Sequence, residues 1–236
     1  VIPLYSTFLQ RAYDQVLHDV CLQNFHVVFP IDRAGIVGAD GETHHGVFDI
    51  AYLSHMPNMS ILSPSSFSEL DEMLDYAVNI HKGPIAIRYP RGNTEVNYKK
   101  DKFVFGKADI VTQGKDLCII TAGRMVSRAL EIRNILKSSA VTCEIIALPT
   151  ILPLDTAAVL AAAMNNGHAI TLADGVPIGG IGNIIGAVLK EKQIECKFKI
   201  FAFPNEAIPQ GSVNEHDKKY GLDAQSISSE VYKWLK

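Results

Sequence analysis

Most folds are ruled out for this chain by an alternation. Short apolar runs of strand type are separated by longer stretches with helical apolar spacing, and the series occurs twice. Strands that alternate with helices imply parallel sheets covered by helices, because a parallel strand needs a crossover long enough to return the chain to the same end. In the first series, residues 1–5 read as a partial strand. A helix follows, with Phe8, Leu9, Ala12, Tyr13, Val16, Leu17, Val20 and Cys21 recurring as apolar pairs every four residues. Thr7 with Gln10 fits a capping box at its start. Strands are expected at 27–31, 59–62 and 85–87, with Ser66 and Glu69 as a second capping box opening a helix to about residue 80, and Gly83-Pro84 ending it. Residues 48–53 are a further apolar-rich segment.

The second series places strands at 117–121, 143–147, 169–172 and 198–203, and helices at 126–136 and 157–164. Gly179-Gly180-Ile181-Gly182-Asn183 opens another helix to about Leu189. These glycines only superficially match a dinucleotide fingerprint, because Gly186 is one position late and no acidic residue follows at the required distance. Tight helix packing explains them better. Tyr220-Gly221-Leu222-Asp223 stops one helix and caps a final one ending near Trp234 and Leu235. Between the series the sequence turns polar from Asn93, with Lys99, Lys100 and Lys102. The expected architecture is therefore an α/β protein of two domains, residues 1–94 and 108–236, each a mostly parallel sheet flanked by helices, joined by a linker over 95–107.

At 236 residues the chain can hold two ordinary domains. Its formal net charge of −3 gives no reason to expect nucleic acid or an anionic membrane surface, so any anion site must be local. Cys21, Cys118, Cys143 and Cys196 lie far apart without a CxxC, as expected of reduced thiols in a cytosol-like compartment. No apolar run is long enough to span a membrane, and no secretory signal pattern appears. The opening Val1, without a methionine and inside a strand-like run, suggests a piece of a longer polypeptide whose earlier residues hold targeting information or part of a site.

One stretch is unusually rich in chemistry: DRAGIVGADGETHHGVFD, residues 32–49. It starts at a strand end, where open parallel sheets keep their ligands. Glycines 35, 38, 41 and 46 would allow sharp turns or close approach of backbone to a ligand. Three polar groups fall at strand ends of the first domain: Tyr5 with Arg11; Arg33, Asp40 and His44; and Arg88 with Arg91. Parallel strand ends converge on one edge, and arginine forks suit phosphate, so a phosphorylated small substrate is expected there, with Tyr5 as a hydroxyl donor. Each arginine alone has the plainer alternative of a structural ion pair. Arg11 sits in a first helical turn, where the dipole disfavours a cation unless an anion is near; Asp14 is the ordinary candidate, a ligand phosphate the functional one. His44 and His45 are adjacent and cannot both point one way in extended backbone, which argues against a metal pair. His44 beside Asp40 suits acid–base work.

YSTFLQRAYDQ (5–15), DRAGIVGADGETHHGVFD (32–49), RYPRG (88–92), IPQG (208–211) and YGLD (220–223) closely resemble the 1-deoxy-D-xylulose 5-phosphate synthase family of transketolase-type thiamine-diphosphate enzymes. The resemblance covers essentially the whole chain and makes it the latter part of a pyrimidine-binding domain followed by a transketolase C-terminal domain. It implies decarboxylation of pyruvate on thiamine diphosphate and transfer of the two-carbon unit to D-glyceraldehyde 3-phosphate, feeding isoprenoid precursor, thiamine and pyridoxal biosynthesis. By position, it implies that Phe8 packs on the aminopyrimidine, that Tyr5, Arg33 and Arg91 hold the aldehyde's phosphate, and that Arg11, Asp40 and His44 line the substrate pocket, His44 moving protons. It also implies a homodimer, in a bacterial cytoplasm or a plastid-type organelle.

Two departures from the family pattern stand out. The family's essential glutamate and its diphosphate- and Mg2+-binding domain lie upstream, so this chain alone is expected to be inactive and to need that N-terminal portion. Where the family has an acidic pair, this sequence reads Leu172-Ala173-Asp174-Gly175, which bears on the local loop structure. Two alternatives compete with this reading. The β subunit of a 2-oxo acid dehydrogenase or a split transketolase fits the 32–49 loop and RYPRG less well. A non-catalytic oligomerisation or regulatory module of the same fold would have let the polar edge decay, whereas Tyr5, Arg33, Asp40, His44 and Arg91 all match.

Overall fold

Apolar runs without polar alternation belong to strands covered on both faces, and they form the centres of two sheets in the computed structural model, which describes residues 1–92 and 102–236. The linker expected over 95–107 lies outside the described residues up to residue 101. In the first sheet, β1 (Leu4–Tyr5), β2 (Val28–Asp32), β3 (Ser60–Leu62) and β4 (Ile85–Arg88) run parallel in the order β1-β2-β4-β3. In the second, β5 (Asp109–Thr112), β6 (Leu117–Thr121), β7 (Cys143–Ala147), β9 (His168–Leu172) and β10 (Lys197–Phe201) are ordered β10-β9-β6-β7-β5, all parallel except β5. The α/β class and the mostly parallel sheets are as the sequence implied. Two strands were not foreseen, both antiparallel edges: β5, beside β7, and β8 (Thr150–Leu152), which comes from the C-terminal half and joins the first sheet beside β3. β8 is only three residues long, too short for periodicity to reveal.

The helices are α1 (Ser6–Leu9), α2 (Asp49–Leu53), α3 (Phe67–Asn79), α4 (Met125–Lys137), α5 (Thr156–Asn166), α6 (Ile181–Glu191), α7 (Val213–Lys219) and α8 (Ala224–Leu235). Ser66 caps α3, accepting from Glu69 N, while the Glu69 carboxylate returns to Ser65 N at 2.7 Å rather than to Ser66. Asp223 caps α8 as expected. Gly182, in the first turn of α6, lies where a Cβ would meet Ile200 of the sheet at 2.6 Å, and Gly179 where one would meet Ala51 of α2 at 3.1 Å, so both serve close packing. The helix expected from residue 7 is irregular. α1 passes through a 3-10 turn at Gln10–Ala12 into a π-helical stretch at Gln15–Cys21. Thr7 is not its cap: Tyr5 holds that position without a side-chain bond, and the Thr7 hydroxyl donates to Thr43 O at 3.0 Å. The hydroxyl is thus turned to a non-local carbonyl and not to a local N–H.

The two halves share their interior. Leu9, Ile31, Ile50 and Ile61 pack in one cluster with Ile120, Ile146, Val159 and Ile181, and the first half's Ile36 and Val47 enter a second with Leu172, Val176, Phe203 and Ile208. Through this apolar seam runs a buried chain of charges. Arg88 Nε donates to both oxygens of Asp49 at 3.1 and 3.2 Å, Arg88 Nη1 reaches Asp174 Oδ1 at 3.1 Å, and Arg124 Nε reaches Asp174 Oδ2 at 3.2 Å. Arg88 therefore turns away from the edge where the sequence grouped it with Arg91. Burial pushes the Asp174 carboxyl up, but two arginines outweigh it and hold it below the ordinary range. At Asp49 the same burial faces one arginine and tips the carboxyl upward.

Removing one partner of a buried pair leaves the other charge uncompensated, which costs far more than losing an exposed pair. Arg88→Ala is expected to lower the unfolding free energy by about 3–5 kcal/mol, read from urea denaturation at neutral pH. A loss below about 1 kcal/mol, the range of exposed pairs, would show that the network does not hold the halves together.

Candidate active site

The edge at the carboxyl ends of β1, β2 and β4 is built from the register outward. Pairing of Tyr5 with Asp32 sets Tyr5 at the mouth of the 32–49 loop. Asp32 then clasps the next residue: Arg33 N donates to Asp32 Oδ1 and Arg33 Nη1 to Asp32 Oδ2, both at 2.6 Å. This double hold accompanies a positive φ of 60° at Arg33, which turns the chain sharply out of β2. The loop next passes through two short 3-10 turns, Gly38–Asp40 and Glu42–His44, and closes on itself where Gly35 and Gly46 exchange backbone hydrogen bonds at 2.7 and 2.8 Å.

The loop's folding brings together every residue singled out for the edge except Arg88. The Arg33 guanidinium lies 3.9 Å over the Tyr5 ring, a cation–π contact. Tyr5 stacks on Phe8 with centroids 5.4 Å apart, and His44 meets Phe8 edge-on at 5.3 Å. Arg11 lies 5.6 Å from the Phe8 ring. The Arg11–Asp14 pair is not formed, since Asp14 bonds His18 instead. Asp40 bridges two arginines, accepting from Arg33 Nε at 3.2 Å and from Arg91 Nη1. It is thereby occupied, and His44 Nδ1 lies 3.0 Å from the Thr43 hydroxyl rather than on Asp40. Three arginines, Arg11, Arg33 and Arg91, gather at this edge, the last two held by Asp32 and Asp40.

His45 does not point with His44, although His44 closes a 3-10 turn instead of lying in the extended backbone that the sequence argument assumed. It is buried, with Nδ1 receiving Val37 N–H at 3.3 Å and Nε2 3.2 Å from Pro209 O. Burial, aided by neighbouring His216, lowers its pKa below the ordinary histidine value. Gln210 Nε2 also donates to Ala39 O at 3.0 Å. These contacts from the 208–211 segment, and the role of Thr43, escape sequence reading because they depend on residues up to 171 positions apart, whereas Asp32 was missed beside its own neighbour Arg33. The motif itself was visible; its target was not.

Chemically, the edge offers a partly exposed aromatic ring with an imidazole at its edge and guanidinium groups around it. This suits a flat heterocycle together with an anionic substrate. Phe8 stacks on Tyr5 on one side yet remains 38% exposed, so its ring is available to a planar group such as an aminopyrimidine. Among the described residues, no group of three His, Cys, Asp or Glu side chains could hold a metal ion.

Two family models match the chain: the transketolase pyrimidine binding domain over residues 2–96 and the transketolase C-terminal domain over residues 106–227. Among curated relatives, the 1-deoxy-D-xylulose-5-phosphate synthase of Clostridium tetani is 45% identical over 236 residues, covering 100% of this chain and 38% of that protein. The synthase of Gloeothece citriformis is 39% identical over 237 residues, covering 99% and 37%. The chain thus spans under two fifths of the length of these relatives. Among solved structures, a split-gene transketolase described as an inactive β4 tetramer aligns with a TM-score of 0.88 at 23% identity, covering 99% of this chain and 75% of that one. The Pichia stipitis transketolase complexed with sedoheptulose 7-phosphate aligns with a TM-score of 0.82 at 17% identity, covering 99% and 33%. These two likenesses concern the fold.

A Cβ on Gly46 would lie 2.2 Å from Arg33 O and 2.6 Å from Ser6 Cβ. Gly46→Ala is therefore expected to cost about 1–3 kcal/mol by overpacking and to speed hydrogen exchange at the Gly35 amide. Unchanged thermal stability with unchanged exchange would show that the loop accommodates the methyl group freely.

Proposed function

Because the chain belongs to the transketolase family, carrying its pyrimidine-binding domain followed by its C-terminal domain, we propose that it is the latter portion of a 1-deoxy-D-xylulose 5-phosphate synthase. In that reading residues 1–94 and 108–236 are the two domains, joined by 95–107. The enzyme joins two carbons of pyruvate to D-glyceraldehyde 3-phosphate, an early step toward isoprenoid precursors. Identities of 39–45% to synthases along essentially the whole chain support it. The carrying observation is that Tyr5 and His44 pack on the Phe8 ring while Arg33, stacked on Tyr5, shares Asp40 with Arg91.

Thiamine diphosphate, when bound, supplies the electron sink for decarboxylation. Phe8 gives its aminopyrimidine a flat apolar surface. Arg33 and Arg91 hold the aldehyde's phosphate, Tyr5 orients Arg33 and adds a hydroxyl, and Arg11 extends the positive rim. Asp40 keeps both arginine forks aimed before substrate arrives, so their ordering does not have to be supplied at binding. His44, at the ring edge, moves protons at the reacting carbonyl oxygen. The diphosphate anchor, its Mg2+ and the activating glutamate are assigned to residues outside these 236, and the working unit to a homodimer of the longer protein.

Joined to its N-terminal portion, the His44→Ala variant is expected to lose turnover on the order of a hundredfold, the contribution of one acid–base group; wild-type turnover would remove His44 from proton transfer. Arg91→Ala should raise the KM for the phosphorylated aldehyde about tenfold or more, as one charge-assisted bond implies, and leave the pyruvate KM nearly unchanged. Equal weakening of both substrates would make Arg91 structural. Turnover with a ketose phosphate donor instead of pyruvate would reassign the chain to a split transketolase.

A further inference from the structure

IPQG, residues 208–211, is the sequence motif that the proposed chemistry leaves unused. It belongs to the C-terminal half, yet it lies against the loop that carries Asp40 and His44. Gln210 holds Ala39 O, and the Gly211 carbonyl stands 3.3 Å from where a Cβ on Gly38 would be. Pro209 O stands 3.2 Å from His45 Nε2. A carbonyl can only accept, so Nε2 carries the proton; Val37 N–H can only donate, so Nδ1 is bare. The neutral Nε2–H imidazole satisfies both bonds, and the imidazolium forfeits the one to Val37.

The surroundings do not welcome that second proton. The His216 ring of α7 stands edge-on to His45 at 5.5 Å, itself buried, with neither ring nitrogen partnered. From its own loop the Glu42 carboxylate favours the second proton and His44 opposes it, and burial outweighs the carboxylate. Glu215 of α7 is committed to Ser212 N and Oγ, at 2.8 Å each.

We propose that His45 is a positioning residue: neutral, it ties Val37, at the start of the turn that carries Asp40, to the IPQG segment through its two ring nitrogens, and protonated at Nδ1 it lets Val37 go while keeping Pro209. The inference rests on the reading that this loop faces the reacting substrates. Burial sets the direction in pH, because it lowers the folded-state value of His45 relative to an unfolded value near 6.5. The fastening is complete above about 6.5 and is lost as pH falls through the lower folded value.

Heteronuclear NMR of the full chain, titrated from about pH 7.5 to about pH 5, reads this directly. The Val37, Gly38 and Asp40 amides and the Gln210 side-chain amide are expected to shift together with the His45 ring, at one midpoint below about 6.5. In His45→Gln the amide can accept from Val37 and donate to Pro209 without titrating, so these shifts should flatten while the spectrum stays folded. Loop signals that still titrate in His45→Gln, or that stay fixed while the wild-type His45 ring titrates, would overturn the proposal. Should His45→Gln not fold, Gln210→Ala provides the second arm. It should raise loop amide exchange at neutral pH and bring the loop's titration midpoint closer to about 6.5; an unchanged loop would overturn the role of the IPQG contact. None of these readouts needs turnover, so a failed synthase assay and a failed switch are seen separately.

Discussion

The buried run of charges from Asp49 through Arg88 and Asp174 to Arg124 is the interaction on which the rest of this structure depends. Each charge is affordable in an apolar seam only because an opposite charge meets it at hydrogen-bond distance. That requirement fixes how the two halves sit, since Asp49 and Arg88 come from one and Asp174 and Arg124 from the other. It reaches the candidate site as well. Asp49 also accepts from the Ser6 hydroxyl, and Ser6 is the neighbour of Tyr5, whose ring supports both Arg33 and Phe8.

The candidate site is held from two sides. Within the first half, strand register and the Gly35–Gly46 closure shape the 32–49 loop, and Asp40 ties Arg33 to Arg91. From the second half, Pro209 and Gln210 grip the loop's outer turn. A cleft of about 490 Å³, lined by Glu42, Thr43, Phe48, Asn205 and Ile208 among others, opens beside that grip. Ala173, where the resemblance leads one to expect a second carboxylate, does not disturb the loop, because Asp174 alone meets both arginines.

Much of the fold was legible along the chain. Strands such as Leu117–Thr121 and helices such as Phe67–Asn79 advertise themselves by apolar runs, helical periodicity and capping residues, all of which are local. The misses have a common cause. Thr7 looks like a cap until Thr43 O is brought to it, Arg11 looks like a partner for Asp14 until Phe8 is packed beneath it, and β8 is strand only because β3 lies alongside. In each case the partner is selected by how the chain folds, across the molecule for Thr7 and β8 and among near neighbours for Arg11, which spacing alone does not rank.

The amino-acid sequence by itself determined the alternation that makes an α/β protein, the polar edge at the strand ends, and Tyr5, Arg11, Arg33, Asp40, His44 and Arg91 as groups crowded there. These follow from period, spacing and side-chain chemistry, which need no knowledge of distant neighbours. Only the tertiary structure decided that Arg88 leaves the edge for a buried network, that Asp40 serves two arginines rather than His44, and that His45 fastens the loop to the other half. Which partner a charge or an imidazole takes is set by burial and by competition among groups far apart in sequence, and neither exists until the chain has folded.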